Sequence, residues 1–188
     1  MAITPNQIEI KRIRKMVGIY NMIPNLFRSI IFFAPPAWFC YAFVPVKSLY
    51  ILLGISLFAI FLPNSFFDFI QLSRSSHLYK KIGVKYVNLV AQNGSFLNKV
   101  LRKKYPGFKT VLTSRTSIQK QYNQTYFFEK FHFSLFLFFV TITVIAIMKQ
   151  QYWWVLDLTI SNLLYNVYPN LLQQYVRVKL HSAQNREL

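Results

Sequence analysis

Four long apolar runs limit what this chain can fold into. Ser29 to Val46, Ser48 to about Phe67 and Phe131 to Met148 hold no Lys, Arg, Asp or Glu, and Tyr152 to about Leu172 holds only Asp157. A bilayer core of about 30 Å is crossed by roughly 20 mostly apolar helical residues, so each run has the length of a span. Backbone polar groups in hydrocarbon must be satisfied within their own segment, which selects helices. Only Lys47 separates the first two runs, and only Lys149-Gln150-Gln151 the last two. The predicted fold is therefore an all-α integral membrane protein, with four transmembrane helices in two hairpins joined by a basic amphipathic cytoplasmic segment. Pro35-Pro36 predicts a kink in the first span. One membrane domain covers 1–188: a cytoplasmic arm (1–28), the first hairpin (29–67), an interfacial segment (68–128), the second hairpin (129–172) and a tail (173–188).

Charge sets the expected orientation. The chain carries 22 Lys plus Arg against 5 Asp plus Glu, a net charge of +17. Five of these cations (Lys11, Arg12, Arg14, Lys15, Arg28) lie in the N-terminal arm, eleven fall between Arg74 and Lys120, and Arg177, Lys179 and Arg186 close the chain. The two proposed outer turns hold one Lys each. Cytoplasmic flanks retain Lys and Arg, so both termini and the central segment are expected on the cytoplasmic side of a cell (inner) membrane. A polar, basic N-terminus without a short apolar stretch and small-residue cleavage site predicts no cleaved signal peptide. With 54% hydrophobic residues, the positive charge favours anionic lipid headgroups as partners over nucleic acid. A single cysteine, Cys40, excludes an internal disulfide, and no Cys/His grouping has zinc-site spacing, so neither a metal nor another cofactor is expected.

The central segment is too apolar for a disordered linker. Ser95 to Lys104 places Phe96, Leu97, Val100 and Leu101 on one helical face, with Lys99, Arg102, Lys103 and Lys104 around the other, a pattern suited to an interfacial helix. Thr116 and Gln119 have capping-box spacing, which predicts that the third long helix begins near Thr116 and runs unbroken into the bilayer.

Polar side chains at membrane depth are costly and mark candidate sites. Glu129 and His132, three residues apart, share neighbouring parts of one helix face, so the carboxylate could orient the imidazole as a base. The plainer account puts Glu129 in the headgroup layer beside Lys130. Along the fourth helix, Asn162, Asn166, Asn170, Gln173 and Arg177 fall within an arc of roughly 80°, forming one polar stripe. Interhelical hydrogen bonding is the plainer explanation of that stripe. No His-x-x-x-x-Asp, Gly-x-Ser-x-Gly or Walker loop is present.

Three stretches resemble a known family. They are Leu78-Tyr79-Lys80-Lys81-Ile82-Gly83-Val84 with Gly94 downstream, Glu129-Lys130-Phe131-His132, and Asn166-Val167-Tyr168-Pro169 followed by Gln173, Tyr175 and Arg177. From about Phe66 to Leu180 the chain is similar to the small membrane acyltransferases typified by glycosyl-diaponeurosporenoate acyltransferase of carotenoid synthesis. That family often has Gln-Arg-Tyr-Asn-Arg where Gln173-Gln174-Tyr175-Val176-Arg177 stands here, and an acidic residue near the position of Ser73. The resemblance implies transfer of a fatty acyl group from an activated donor to a hydroxyl of a glycosylated membrane lipid. His132 would then remove the hydroxyl proton, with Glu129 stabilising the imidazolium. Asn162, Asn166, Gln173, Tyr175 and Arg177 would line the substrate site, and Arg177 with Arg102, Lys103 and Lys104 would hold donor phosphates. The rival reading is a non-catalytic membrane subunit whose polar stripe packs against a larger complex. A lipid carrier or flippase accessory is a third.

Overall fold

The computed structural model describes residues 7–84, 86 and 115–184, and among these every regular element is helical. Helix α1 (Gln7–Phe43) carries the first apolar run and passes through Pro35 and Pro36 without interruption. It stops where Pro45 withdraws its N–H and disfavours helical geometry at Val44. The Val44 N–H makes the last bond, to the Cys40 carbonyl (3.0 Å), and the Pro45 carbonyl accepts the first bond of the next helix from Leu49 N–H (3.0 Å). Lys47 consequently sits inside the first turn of α2 (Val46–Phe58) rather than in the bend.

Pro63 divides the second run, which was expected to continue to about Phe67. Helix α2 tightens into a 3-10 turn at Ala59–Phe61, and a separate α3 (Asn64–Phe69) starts just after Pro63. Helix α4 (Ser76–Lys81) is capped by Ser75, whose hydroxyl accepts from His77 N–H at 3.3 Å. It is followed by Gly83 in the left-handed region at φ +84°.

Helix α5 (Arg115–Met148) runs unbroken, as expected, with Thr116 inside it rather than at a cap. Its end is a Schellman turn: Gln151 N–H reaches the Ala146 carbonyl and Gln150 N–H the Ile147 carbonyl, both at 2.9 Å. Gln150 occupies the left-handed position at φ +56°, where glycine is free of the Cβ penalty. Gln150→Gly should therefore raise stability by about 0.5–1 kcal/mol, read as a higher unfolding midpoint in detergent. Helix α6 (Tyr152–Asn162) leads through a wide π-turn, Leu163–Val167, into α7 (Tyr168–Gln184).

Leu26–Phe43 and Ile118–Met148 are long and apolar enough to cross a membrane, while Val46–Phe61 is apolar but shorter. Of the four spans expected, two thus have helices of sufficient length. The core helix of a soluble protein is mostly buried, yet only 17% and 33% of the residues in these two windows are. Phe58, Phe61, Phe69 and Trp153 also face outward, a surface suited to hydrocarbon. Two cores hold the helices together. Phe39, Cys40 and Val44 of α1 and its end pack against Phe138, Phe139, Ile142 and Ala146 of α5 and Leu158 of α6. Tyr79 and Val84 pack against Leu172, Tyr175 and Val178 of α7. Ser134 Oγ ties α5 to α2 by donating to the Ser56 carbonyl at 2.7 Å. The predicted interfacial helix at 95–104 lies outside the described residues.

Candidate functional site

Two polar clusters lie where α5 meets the chain from α6 to α7. The outer one centres on an ion pair. Arg177 Nη1 donates to Glu129 Oε2, and both residues are almost wholly buried, at 2% and 1% exposure. Further hydrogen bonds hold both groups. Gln174 Nε2 donates to Glu129 Oε1 (2.8 Å), Arg177 Nε to Gln71 Oε1 (3.1 Å) and Arg177 Nη2 to the Phe67 carbonyl (3.3 Å). The guanidinium also lies 4.4 Å from the Tyr126 ring centroid, and the Tyr126 hydroxyl donates to Asp68 Oδ1 at 2.6 Å. Gln174 Oε1 accepts from Leu72 N–H at 3.1 Å. The Tyr79 hydroxyl lies 3.1 Å from that oxygen and 3.0 Å from the Ser73 carbonyl, its one proton serving either. Burial pushes the Tyr79 phenol up, which keeps that donor in place. A buried charge is tolerated when paired and hydrogen-bonded, and this network satisfies both conditions by clamping residues 67–79 onto α5 and α7.

The inner cluster is built differently. His132, 8% exposed, sets its ring edge-on to Tyr165, with centroids 5.9 Å apart. The imidazole lies against the Tyr165 backbone and the Asn166 side chain, yet Nδ1 has no hydrogen-bond partner among the described residues. Fully buried Asn166 donates through Nδ2 to Asn162 Oδ1 (2.8 Å), and Asn162 donates through Nδ2 to the Phe136 carbonyl (3.3 Å). Asn166 Oδ1 and Asn170 Oδ1 have no hydrogen-bond partner among the described residues. From α1, Ser29 Oγ shares a 2.7 Å hydrogen bond with the Tyr165 hydroxyl, and Arg28 Cζ stands 5.5 Å from the Tyr165 ring centroid.

Local sequence explains the inner geometry. Pro169 has no N–H to return to the preceding turn, and the helix there opens so that Tyr168 N–H bonds the Leu163 carbonyl five residues back. Such π-turns expose backbone that a regular helix would occupy, and they recur at functional positions.

The expected Glu129–His132 hydrogen bond is not made. Both carboxylate oxygens are engaged by Arg177 and Gln174, a full cation and an amide that outcompete an imidazole one turn away. Asn162, Asn166 and Arg177 do face α5. Gln173 is only half-buried and makes no side-chain hydrogen bond among the described residues, its expected place being taken by Gln174. Tyr175 belongs to a core, 6.1 Å from the Tyr79 ring, with Lys179 Nζ 4.6 Å from its own ring centroid. Arg102, Lys103 and Lys104 lie outside the described residues. No group of three or more His, Cys, Asp or Glu able to hold a metal occurs among the described residues.

Residues 63–186, which contain nearly all of both clusters, match the sequence model of the glycosyl-4,4'-diaponeurosporenoate acyltransferase family. The chain belongs to that family. No curated protein and no solved structure matches it. Glu129, His132, Tyr165, Asn166, Gln174 and Arg177 fall within the stretch shared with this acyltransferase family, whereas Arg28 and Ser29 fall before it.

Sequence reasoning missed Gln174, Gln71, Tyr126 and the part Asp68 plays. Each acts from an element whose placement against α5 or α7 depends on tertiary packing. A signal for Gln174 did exist in Pro169, whose missing N–H favours a wider turn and hence a shifted face.

Proposed function

We propose that this protein is an integral membrane acyltransferase that moves a fatty acyl group onto a hydroxyl of a glycosylated membrane lipid. The observation that carries the reading is a buried imidazole with an unpaired nitrogen, set at a π-turn inside the stretch shared with a family of glycosyl-carotenoid acyltransferases. An unpaired, buried Nδ1 is costly unless something with a hydrogen to give arrives there. A sugar hydroxyl is such a group, and Asn166 Oδ1 and Asn170 Oδ1 are two further acceptors for the hydroxyls beside it. His132 takes the proton as the hydroxyl oxygen attacks the acyl carbonyl. Glu129 supports this site from outside by fixing α5 against α7, a positioning task rather than a proton transfer.

Internal pairing of the polar stripe in both clusters weighs against the rival, a non-catalytic subunit using that stripe to dock on a partner. Asn162, Asn166 and Arg177 spend their donors within the chain. In a host that accumulates the glycosyl carotenoid, expression of this chain should yield a less polar, acylated product on reversed-phase chromatography. An unchanged pigment profile with the protein present in membranes would remove the activity.

For the topology, we take Leu26–Phe43, Val46–Phe61, Ile118–Met148 and Tyr152 to Leu172 as four spans, with both termini and the basic central segment on the cytoplasmic side. In a Cys40→Ala background, Lys47→Cys should react with an impermeant thiol reagent added to intact cells, and Lys104→Cys only after lysis. The opposite labelling pattern rejects this orientation.

A further inference from the structure

Arg28 lies outside the family-matched stretch and has no role in the scheme above. We propose that it is the phosphate subsite of the acyl donor, and that the donor therefore carries its phosphate within a few bonds of the acyl carbonyl. A glycerophospholipid and an acyl phosphate share that chemistry. A coenzyme A thioester does not, because the pantetheine arm separates its phosphates from the carbonyl. This inference rests on the acyltransferase reading for its chemistry, though not for the anion site itself.

Arg28 is a half-buried cation against which no carboxylate is placed among the described residues. Arg28 Nε is buried and has no hydrogen-bond partner, and no carboxylate pairs with the guanidinium among the described residues. Its one described partner is the Tyr165 ring face, at 5.5 Å. Asp68 and Glu129 both serve Arg177. Asp157 stands eight residues before Tyr165, about 12 Å back along a helix axis. A half-buried guanidinium with a shielded Nε and no carboxylate beside it is open to an anion from outside the chain, and its planar fork suits phosphate oxygens.

Position narrows the class of that anion. Arg28 and His132 both lie against the Tyr165 ring, at 5.5 and 5.9 Å from its centroid. A phosphate held at Arg28 thus leaves the carbonyl only a short reach from the imidazole. Arg28 also sits where the first apolar run begins, the depth at which bilayer phosphates lie. Arg177, the cation first assigned to donor phosphates, is consumed by Glu129 and is closed to solvent. Two buried atoms without a hydrogen-bond partner among the described residues remain for the acceptor: His132 Nδ1 for its attacking hydroxyl and Asn166 Oδ1 for a neighbouring one.

The transfer balances. The acceptor oxygen bonds to the acyl carbon as its proton passes to His132, giving a tetrahedral oxyanion. Collapse breaks the bond from the acyl carbon to the donor oxygen. With a glycerophospholipid, the leaving glycerol oxygen takes the proton from His132 and a lysophospholipid departs. With an acyl phosphate, inorganic phosphate leaves and the proton passes to it or to water.

The test uses the full chain, purified in detergent and reconstituted with glycosyl-diaponeurosporenoate. Three donors are offered separately: phosphatidylglycerol labelled in its acyl chain, palmitoyl phosphate, and palmitoyl-coenzyme A. Turnover is expected with the first or the second, and which of them works identifies the source. Arg28→Gln should raise the donor KM roughly 10- to 100-fold, the range for losing a charge-assisted hydrogen bond, with Arg28→Lys intermediate. Retention of labelled phosphatidylglycerol or palmitoyl phosphate by the purified chain is measured independently of turnover. It should fall in Arg28→Gln and persist in His132→Ala. Turnover confined to palmitoyl-coenzyme A, or retention by Arg28→Gln equal to wild type, overturns the proposal. Retention that depends on Arg28 without turnover from any donor keeps the phosphate site and removes the acyltransferase reading.

Discussion

Arg177→Met is expected to destabilise the protein by about 3–5 kcal/mol, because it strands the Glu129 carboxylate in a buried position without its cation. Gln174 would still donate to one oxygen, but one amide cannot offset a buried charge. The loss extends beyond the pair. Arg177 also holds Gln71 and the Phe67 carbonyl, so the segment before α4 would lose its attachment to α7. Asp68 is half-exposed and 3.7 Å from Arg177, so water can replace most of what it gives up. The companion variant separates charge from shape: Arg177→Met combined with Glu129→Leu should recover most of the stability, since it removes both buried charges together. Unfolding midpoints in detergent read the two variants. Equal losses in the single and double variants would mean that packing around Tyr126, rather than charge pairing, sets the value of Arg177.

That network also shows how far the sequence could be read. The polar arc on the last apolar run follows from 100° per residue, and it places Asn162, Asn166 and Arg177 towards α5. The arc assumes a regular helix, however. The π-turn at Leu163–Val167 accommodates one extra residue, so the position one face-repeat further on moves from Gln173 to Gln174. Proline had the opposite visibility in the first hairpin. Pro45 and Pro63 end helices, moving the bend ahead of Lys47 and splitting the second run, whereas Pro35 and Pro36 are carried inside α1. A proline's effect on a helix is local, but whether the helix ends there depends on what packs across it, and that is long-range information. The same holds for Arg28, which looked like one more cytoplasmic charge until Tyr165 was brought beside it.

His132→Ala should lower turnover by about 10²- to 10⁴-fold per folded molecule, the usual contribution of a general base. The substitution removes a ring packed on Tyr165 but leaves the outer ion pair untouched, so the chain should still elute as a monodisperse species. Glu129→Gln provides the contrast. Had the carboxylate oriented the imidazole, both variants would lose turnover alike. With Glu129 bonded to Arg177 and Gln174 instead, Glu129→Gln should mainly lower the unfolding midpoint, and the molecules that stay folded should keep most of their turnover. Initial rates of glycolipid acylation, normalised to the folded fraction from size-exclusion chromatography, distinguish the two patterns. If His132→Ala turns over at the wild-type rate, the imidazole is a packing residue beneath Tyr165. If Glu129→Gln loses as much turnover as His132→Ala at equal folded fraction, the two residues act as a dyad during the reaction, and the carboxylate must then leave Arg177 to do so.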